Sequence, residues 1–381
     1  MKIALLLRRF ITTGGAERYA VEMVRRLAAV HEVHIFAQEW DQEPAGVIFH
    51  RVSRPFKKPS FLNQWWFSWR TAKMARGFDV VYTHERVTHF DVMHIHCGTF
   101  IGGFLDPARS IRKKSAVQMW LKVLTTPGIW AYGLLEKIHF RFQPFRHWIA
   151  VSEMTRAEVQ RYYELPDASF TIAHSGVDQP PANLAEKRSA LRREFGFKDD
   201  EIVLLFVGSE FRRKGLDALI AALPMLKNKG VKLVVAGGGD PAPFQKQAVE
   251  SGVDGQIVWA GLVKNTAEYY AAADIFVLPT LYDAGPMAPL EAMAHGCAAI
   301  FSCAAYAGMA EMIADGEAVL LNHPKDPAEI AAAVERLMNP AARAEFACKG
   351  RALAARLTWD RTAGIVRQVL EKSAAERGRL K

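Results

Sequence analysis

The second half of the chain carries four short apolar runs: Ile202–Gly208 (IVLLFVG), Val231–Gly239 (VKLVVAGGG), Gln256–Gly261 (QIVWAG) and Ile275–Pro279 (IFVLP). Each is followed by a stretch that reads as a helix. A strand that is apolar on both faces is buried on both, the condition of a parallel sheet covered by helices on its two sides. The first half repeats the pattern in KIALLL, EVHIFAQ, Asp79–His84 (DVVYTH), Asp91–His96 (DVMHIH) and Trp148–Glu153 (WIAVSE), with helical apolar spacing over Ala16–Val30. The expected fold class is therefore α/β, with two doubly wound Rossmann-like domains.

A length of 381 residues suits two such domains, each able to bury its own core. The boundary is expected near Pro166, giving domains 1–165 and 166–357, although no Ser- or Gly-rich linker marks it. Pro327–Leu357 reads as packed helices, and the chain from Thr358 as a last amphipathic helix. Two open parallel sheets predict a ligand between them, at the carboxyl ends of their strands.

With 50% hydrophobic and 23% charged residues, the chain is globular and not disordered. Its cysteines, Cys97, Cys297, Cys303 and Cys348, show no CxxC spacing, which suggests a reduced compartment. Arg8 and Arg9 interrupt the first apolar stretch too early for a signal peptide. No window approaches the roughly 18 apolar residues of a membrane span. The charge is uneven. Residues 1–165 hold 24 basic and 14 acidic residues, and the remainder holds 25 and 26. A basic surplus confined to one domain implies a large anionic partner there: nucleic acid, an anionic lipid surface or a phosphorylated glycan.

Five stretches carry chemistry. GGAER, Gly14–Arg18, lies between the first strand and first helix, and reads either as a tight turn or as a close approach to an anion. It is not a GxGxxG fingerprint. GSEFRRKG, Gly208–Gly215, places Arg212, Arg213 and Lys214 at a strand's carboxyl end, as a solvated basic turn or a diphosphate site. LYDAGPMAPLEAMAHG, Leu281–Gly296, turns from a buried strand into a helix, with Asp283 on the turn and Glu291 inside the helix. An acid there accepts from a ribose diol in nucleotide folds, whereas in an ordinary crossover it is a surface charge. No Walker sequence is present.

The fourth stretch is a histidine cluster, His84, His89, His94 and His96, with Cys97. His94 and His96 share one face of a strand, so zinc has to be weighed, but no further ligand stands at a set spacing, and no metal is predicted. His96 reads as a catalytic or substrate-orienting histidine, or as a structural one. The fifth runs from Arg109 to Arg146. It holds Arg109, Arg112, Lys113, Lys114, Lys122, Lys137, Arg141 and Arg146 against the single acid Glu136, with Trp120 and Trp130 among its aromatics. This suits a segment lying on anionic lipid, with FLNQWWFSWR (Phe61–Arg70) adding aromatic contact; core aromatics with solvated lysines are the alternative. No nucleic-acid-binding motif accompanies the charge.

In their order and spacing, GGAER, VSEMTRAEV, HSGVD, FVGSEFRRKGLDALIAAL and YYAAADIFVLPTLYDAGPMAPLEAMAHG resemble the family 4 retaining glycosyltransferases. Within the family the chain looks most like the lipopolysaccharide-core glucosyltransferases that add the first glucose to inner-core heptose. AQEW, the GSEFRRKG loop and the basic aromatic segment carry that narrower likeness. The resemblance implies the GT-B fold, two Rossmann-like domains facing each other across a cleft, the first on the acceptor side and the second binding a nucleotide sugar. The last helix, about 358–381, would pack back on the first domain.

By the same resemblance, Arg213 and Lys214 hold the diphosphate, and Glu291 the ribose. Asp283 takes the place of the family's first acid, and the backbone at Gly285, Pro286 and Met287 faces the sugar and phosphate. Gly14 and Gly15 approach the diphosphate, Glu17 the acceptor or the cleft, and His96 matches the family histidine approximately, with Cys97 between it and Gly98. Asp283 is shorter than the usual Glu, and Pro286 removes a donor. The implied activity is retaining hexosyl transfer, glucose first, from a UDP-sugar co-substrate, without cofactor or metal. The implied acceptor is an anionic glycolipid or lipopolysaccharide core, reached from the cytoplasmic side of an anionic membrane through Arg109, Arg112, Lys113, Lys114, Trp120, Lys122 and Trp130. The alternatives are a family 4 transferase of other donor and acceptor, or a basic binding module without catalysis.

Overall fold

The computed structural model describes residues 1–11, 14–105, 125–141, 143, 145–180, 183–227 and 230–379. The chain divides into two units, Met1–Ser175 with Trp359–Lys381, and Gly176–Thr358.

In the first unit β1 (Lys2–Leu6), β2 (Arg9–Phe10), α1 (Gly15–Leu27), β3 (Glu32–Ala37), β4 (Glu39–Trp40) and β5 (Val47–Arg51) follow in order. Then come α2 (Ser60–Met74), β6 (Val80–Thr83), β7 (Val92–Ile95), α3 (Phe100–Leu105), α4 (Pro127–His139), β8 (His147–Ala150), α5 (Glu153–Tyr162) and β9 (Phe170–Ile172). Seven of these strands form one parallel sheet in the order β5-β3-β1-β6-β7-β8-β9. β1 and β6–β8 are buried along almost their whole length, which is why they read as continuous apolar runs. The two-residue strands β2 and β4 pair separately.

Phe170–Ile172 belongs to this first sheet, because it pairs in register with Trp148–Ala150. The boundary thus falls after Ser175 and not at 165/166. The sequence gives no warning, since an edge strand of three residues is too short to show a period.

The C-terminal helix of Trp359–Arg379 also lies on this unit. Trp359 packs edge-on against Tyr19 at 5.3 Å, and Thr362 donates to the His174 carbonyl at 2.8 Å. Its polar face is tied by Arg26–Asp360 at 2.5 Å, His147–Glu376 at 2.8 Å and Arg377–Asp91 at 2.6 Å.

The second unit contains α6 (Leu184–Glu194), β10 (Ile202–Val207), α7 (Leu216–Ala222), β11 (Val231–Ala236), α8 (Ala242–Glu250), β12 (Ile257–Gly261) and α9 (Thr266–Ala272). It continues through β13 (Ile275–Leu278), α10 (Ala288–Ala294), β14 (Ala298–Ser302), β15 (Val319–Leu321), α11 (Pro327–Met338) and α12 (Pro340–Arg356). Its six strands are all parallel, ordered β12-β11-β10-β13-β14-β15. Leu204, Leu205, Phe206, Leu233, Phe276, Val277, Ile300 and Phe301 are buried at its centre. α11 and α12 are separate helices because Asn339 interrupts the run, its side chain accepting from the amides of Ala341 and Ala342.

Candidate functional site

In an open parallel sheet, chain order reverses at one place, and the loops there leave a crevice at the carboxyl end. In the second unit the reversal lies between neighbours β10 and β13. The basic loop follows β10 and the Leu281–Gly296 stretch follows β13, so the two segments singled out in the sequence flank one crevice. Gly215 makes this approach possible. It has φ +77°, and a Cβ there would stand 2.0 Å from the Pro279 carbonyl oxygen. Leu281 N then donates to the Arg213 carbonyl at 2.8 Å.

Lys214 Nζ forms an ion pair with Asp283. Arg213 donates to the Tyr282 carbonyl and pairs with Glu210. Arg212 is exposed. Asp283 is fixed by its backbone, its amide donating to Tyr306 O at 2.7 Å and its carbonyl accepting from Gly308 N at 2.9 Å. The acid of the turn therefore anchors the lysine of the neighbouring loop, a pairing across 69 residues that linear reading does not reveal.

α10 begins at Ala288, past the Gly285–Pro286 turn. Pro286 is buried, and Gly285 and Met287 are half-buried. One turn into the helix, Glu291 accepts a hydrogen bond from the Tyr270 hydroxyl at 2.8 Å, while its backbone carbonyl contacts His295 Nδ1 at 2.8 Å. Tyr270, on α9, is the residue that sequence reasoning missed; nothing in its local pattern sets it apart.

The first unit has its own crevice where β1 meets β6. A cavity of about 330 Å³ opens there, lined by Arg8, Glu17, His84, Glu85, Arg86 and His96 among others. Gly14 stands at the start of α1 with φ +110°, where a Cβ would meet the Glu17 carboxylate at 2.4 Å. Gly15 is the first residue of that helix. Glu17 and His96 thus share one cavity.

His96 Nε2 lies 2.8 Å from His84 Nδ1, and its ring stacks on His94 at 4.5 Å. Burial pushes the His96 pKa down to about 3 and those of His84 and His94 well below the usual value, so all three are neutral. His89 is not part of this cluster. The turn after His96 is held by the buried acid Glu158. Glu158 accepts from Thr99 N at 2.7 Å, and a Cβ on Gly98 would stand 2.0 Å from its carboxylate.

Of the basic aromatic segment, Arg109, Arg112, Lys113, Lys114, Trp120 and Lys122 lie outside the described residues. Trp130 is exposed and shares a stripe of α4 with exposed Leu134, Lys137 and Ile138. Arg146 does not face outward. It is buried, donating to Thr88 O at 2.8 Å and stacking over Phe90. Nor is Phe61–Arg70 wholly a surface tract: Phe67 is core and Trp65 donates to Ala131 O at 3.1 Å, leaving Leu62 and Trp69 exposed. Among the described residues no helix is long and apolar enough to cross a membrane.

Two family profiles match the chain: glycosyl transferases group 1 over residues 201–340, and glycosyltransferase family 4 over residues 13–179. A probable transglycosylase of Burkholderia thailandensis is 30% identical over 359 residues, covering 89% of this chain and 88% of its own. The lipopolysaccharide glucosyltransferase WaaG of Escherichia coli is 25% identical over 325 residues, covering 83% of each. Among solved structures, that of WaaG, a glycosyltransferase involved in lipopolysaccharide biosynthesis, matches with TM-score 0.82 at 20% identity over 97% of this chain and 99% of the other. Anabaena HepE in complex with UDP-glucose matches with TM-score 0.73 at 16% identity over 98% and 100%. The chain has the GT-B fold, and it belongs to the group 1, family 4 glycosyltransferases.

Proposed function

We propose that the chain is a retaining hexosyltransferase that moves a hexose, glucose first, from a UDP-sugar to a lipid-linked or lipopolysaccharide-core acceptor. The observation that carries this reading is the convergence of Arg213 and Lys214 with Asp283 and Glu291 on either side of the β10/β13 crevice. The UDP-glucose complex of HepE and the lipopolysaccharide role of WaaG support it.

Breaking the sugar–phosphate bond builds negative charge on the departing diphosphate, and cations fixed beforehand lower that barrier. Lys214 supplies a compact charge already held by Asp283, whose place phosphate oxygens would take. Arg213 spends two of its five donors on Glu210 and Tyr282, keeping the others for phosphate. With charge handled this way, transfer needs no metal and proceeds by front-face displacement, Gly285, Pro286 and Met287 shaping the sugar's seat. On the family likeness we assign Gly14 and Gly15 to the diphosphate, and Glu17 and His96 to orienting the acceptor. Incubation with UDP-, GDP- and ADP-sugars and an inner-core acceptor tests this: UDP-glucose should turn over with retained anomeric configuration, and transfer from another nucleotide alone would replace the donor assignment.

Glu291 accepts from the Tyr270 hydroxyl, and the two oxygens of a carboxylate can take several donors, of which a ribose diol supplies two. Glu291→Ala is expected to weaken UDP binding about 10- to 100-fold in calorimetry, the scale of losing hydrogen bonds to a charged group. Tyr270→Phe should cost much less. An unchanged dissociation constant for Glu291→Ala would remove it from the ribose.

A lipid-linked acceptor has to be met at a surface, and we assign that surface to the inner face of the cytoplasmic membrane. The exposed Trp130, Leu134 and Ile138 stripe with Lys137, together with the basic surplus, supports it. The double variant Trp130→Glu, Leu134→Glu should reduce co-sedimentation with vesicles containing anionic lipid at least tenfold. Undiminished binding would relocate the contact.

A further inference from the structure

We propose that His84, His94 and His96 form a binding site for a divalent first-row transition ion, Zn²⁺ foremost, with three imidazole ligands and a fourth position open to the first-unit cavity. Linear spacing offered only the His94–His96 pair; the fold supplies the third ligand. β6 and β7 run parallel with Tyr82 opposite Val92 and Thr83 opposite Met93, so His84, one step on, comes beside His94. Residues two apart on a strand share its face, which adds His96.

One ring nitrogen from each histidine lies within 4.8 Å of the others, the closest pair being 2.8 Å apart. Two imidazoles on a tetrahedral Zn²⁺ stand about 3.3 Å apart, given Zn–N bonds of about 2.05 Å. The observed spread, from 2.8 Å to at most 4.8 Å, brackets that value, and the stacked His94 and His96 rings turn out of parallel to aim both lone pairs at one ion.

Two further observations point to a ligand. Nε2 of His94, the nitrogen not taken by the Tyr82 hydroxyl, is buried without a hydrogen-bond partner, a costly arrangement for a polar atom. On its other side, His94 Nδ1 lies 2.7 Å from the Tyr82 hydroxyl, the kind of outer partner that fixes the ring of a metal ligand. Imidazole donors suit zinc, copper and nickel rather than magnesium or calcium. The Tyr19 ring packs edge-on at 4.4 Å from His94 and 4.8 Å from His96 and backs the cluster. His84 and His96 line the cavity, which gives the ion a route in.

The consequence for transfer rests on the reading of His96 as an acceptor contact: an ion that claims this ring withdraws it from the substrate and inhibits the enzyme. Binding itself is tested without that reading. The full chain carrying Cys97→Ser, which removes the exposed thiol as a competing ligand, is stripped with chelator and titrated with Co²⁺. One equivalent should bind with the intense visible bands of four-coordinate cobalt. His84→Gln and His94→Gln should each weaken binding at least tenfold, with folding confirmed by circular dichroism. Should either fail to fold, Tyr82→Phe, which strips the outer partner, should weaken it about tenfold. No visible bands up to 100 equivalents of Co²⁺, or an affinity unchanged in every folded variant, would overturn the site. Cobalt binding with transfer unaffected by Zn²⁺ would uphold the site and remove His96 from the acceptor.

Discussion

Lys214→Ala is expected to lower kcat for sugar transfer by about 100- to 1000-fold, the range seen when one preorganised charge-stabilising donor is removed from a transition state. The fold should survive. Lys214 sits on a loop beyond the core, and the strands beneath it are buried independently of its charge. Its loss leaves Asp283 unpaired, but Asp283 is also held through its backbone to Tyr306 and Gly308. Asp283→Asn separates the two roles. It releases the ammonium without deleting it, so its kcat should fall less than that of Lys214→Ala. Steady-state kinetics beside a thermal melt decide the matter: near-normal kcat in a folded Lys214→Ala protein would exclude this lysine from leaving-group stabilisation. A rise in KM alone would make it a ground-state contact.

How far the sequence anticipated these contacts depended on their range. The buried strands were legible because both faces of each are apolar, and the two loops that flank the β10/β13 crevice because they follow such strands directly. The packed helices of Pro327–Leu357 were legible as helical, but the break at Asn339 between them was not placed. Links formed across the sheet were not. Asp283 reads in linear order as a ribose acceptor or a surface charge, and only the approach of Gly215 to Pro279 brings it to Lys214. His84 and His94 are neighbours through strand pairing, and Tyr270 reaches Glu291 from another helix. The β9 edge strand was assigned to the wrong domain because three residues carry no period. Arg146 read as one more surface cation, whereas its guanidinium is buried over Phe90. In each case the missing information was a partner far away in the chain, not the chemistry of the residue itself.

Glu136 brings that lesson to its largest expected effect on stability. In the sequence it is the one acid in a basic segment, which reads as an incidental surface charge. In the fold it is fully buried, and its carboxylate accepts from Arg86 Nε at 2.9 Å, Phe100 N at 2.6 Å, Ile101 N at 3.1 Å and the Tyr163 hydroxyl at 3.0 Å. It thus neutralises Arg86 and satisfies the first amides of α3 with one group. Arg86 in turn donates to the Gly98 carbonyl at 3.1 Å, in the turn that follows His96. Glu136→Ala strands a cation, two amides and a phenol away from water. Breaking a buried pair from one side costs about 3–5 kcal/mol. For a unit of this size that corresponds to a melting transition lower by roughly 10 °C. Glu136→Gln keeps the shape and one acceptor, and should lose about half as much. Because the hydrogen bonds of Glu136 go to Arg86, Phe100, Ile101 and Tyr163, and not to Gly14, Gly15 or the donor residues of the second unit, UDP affinity measured below the transition should stay unchanged. A melting shift under 2 °C in Glu136→Ala would show that water or a rearranged Arg86 satisfies these groups, and that the turn carrying His96 does not depend on this carboxylate.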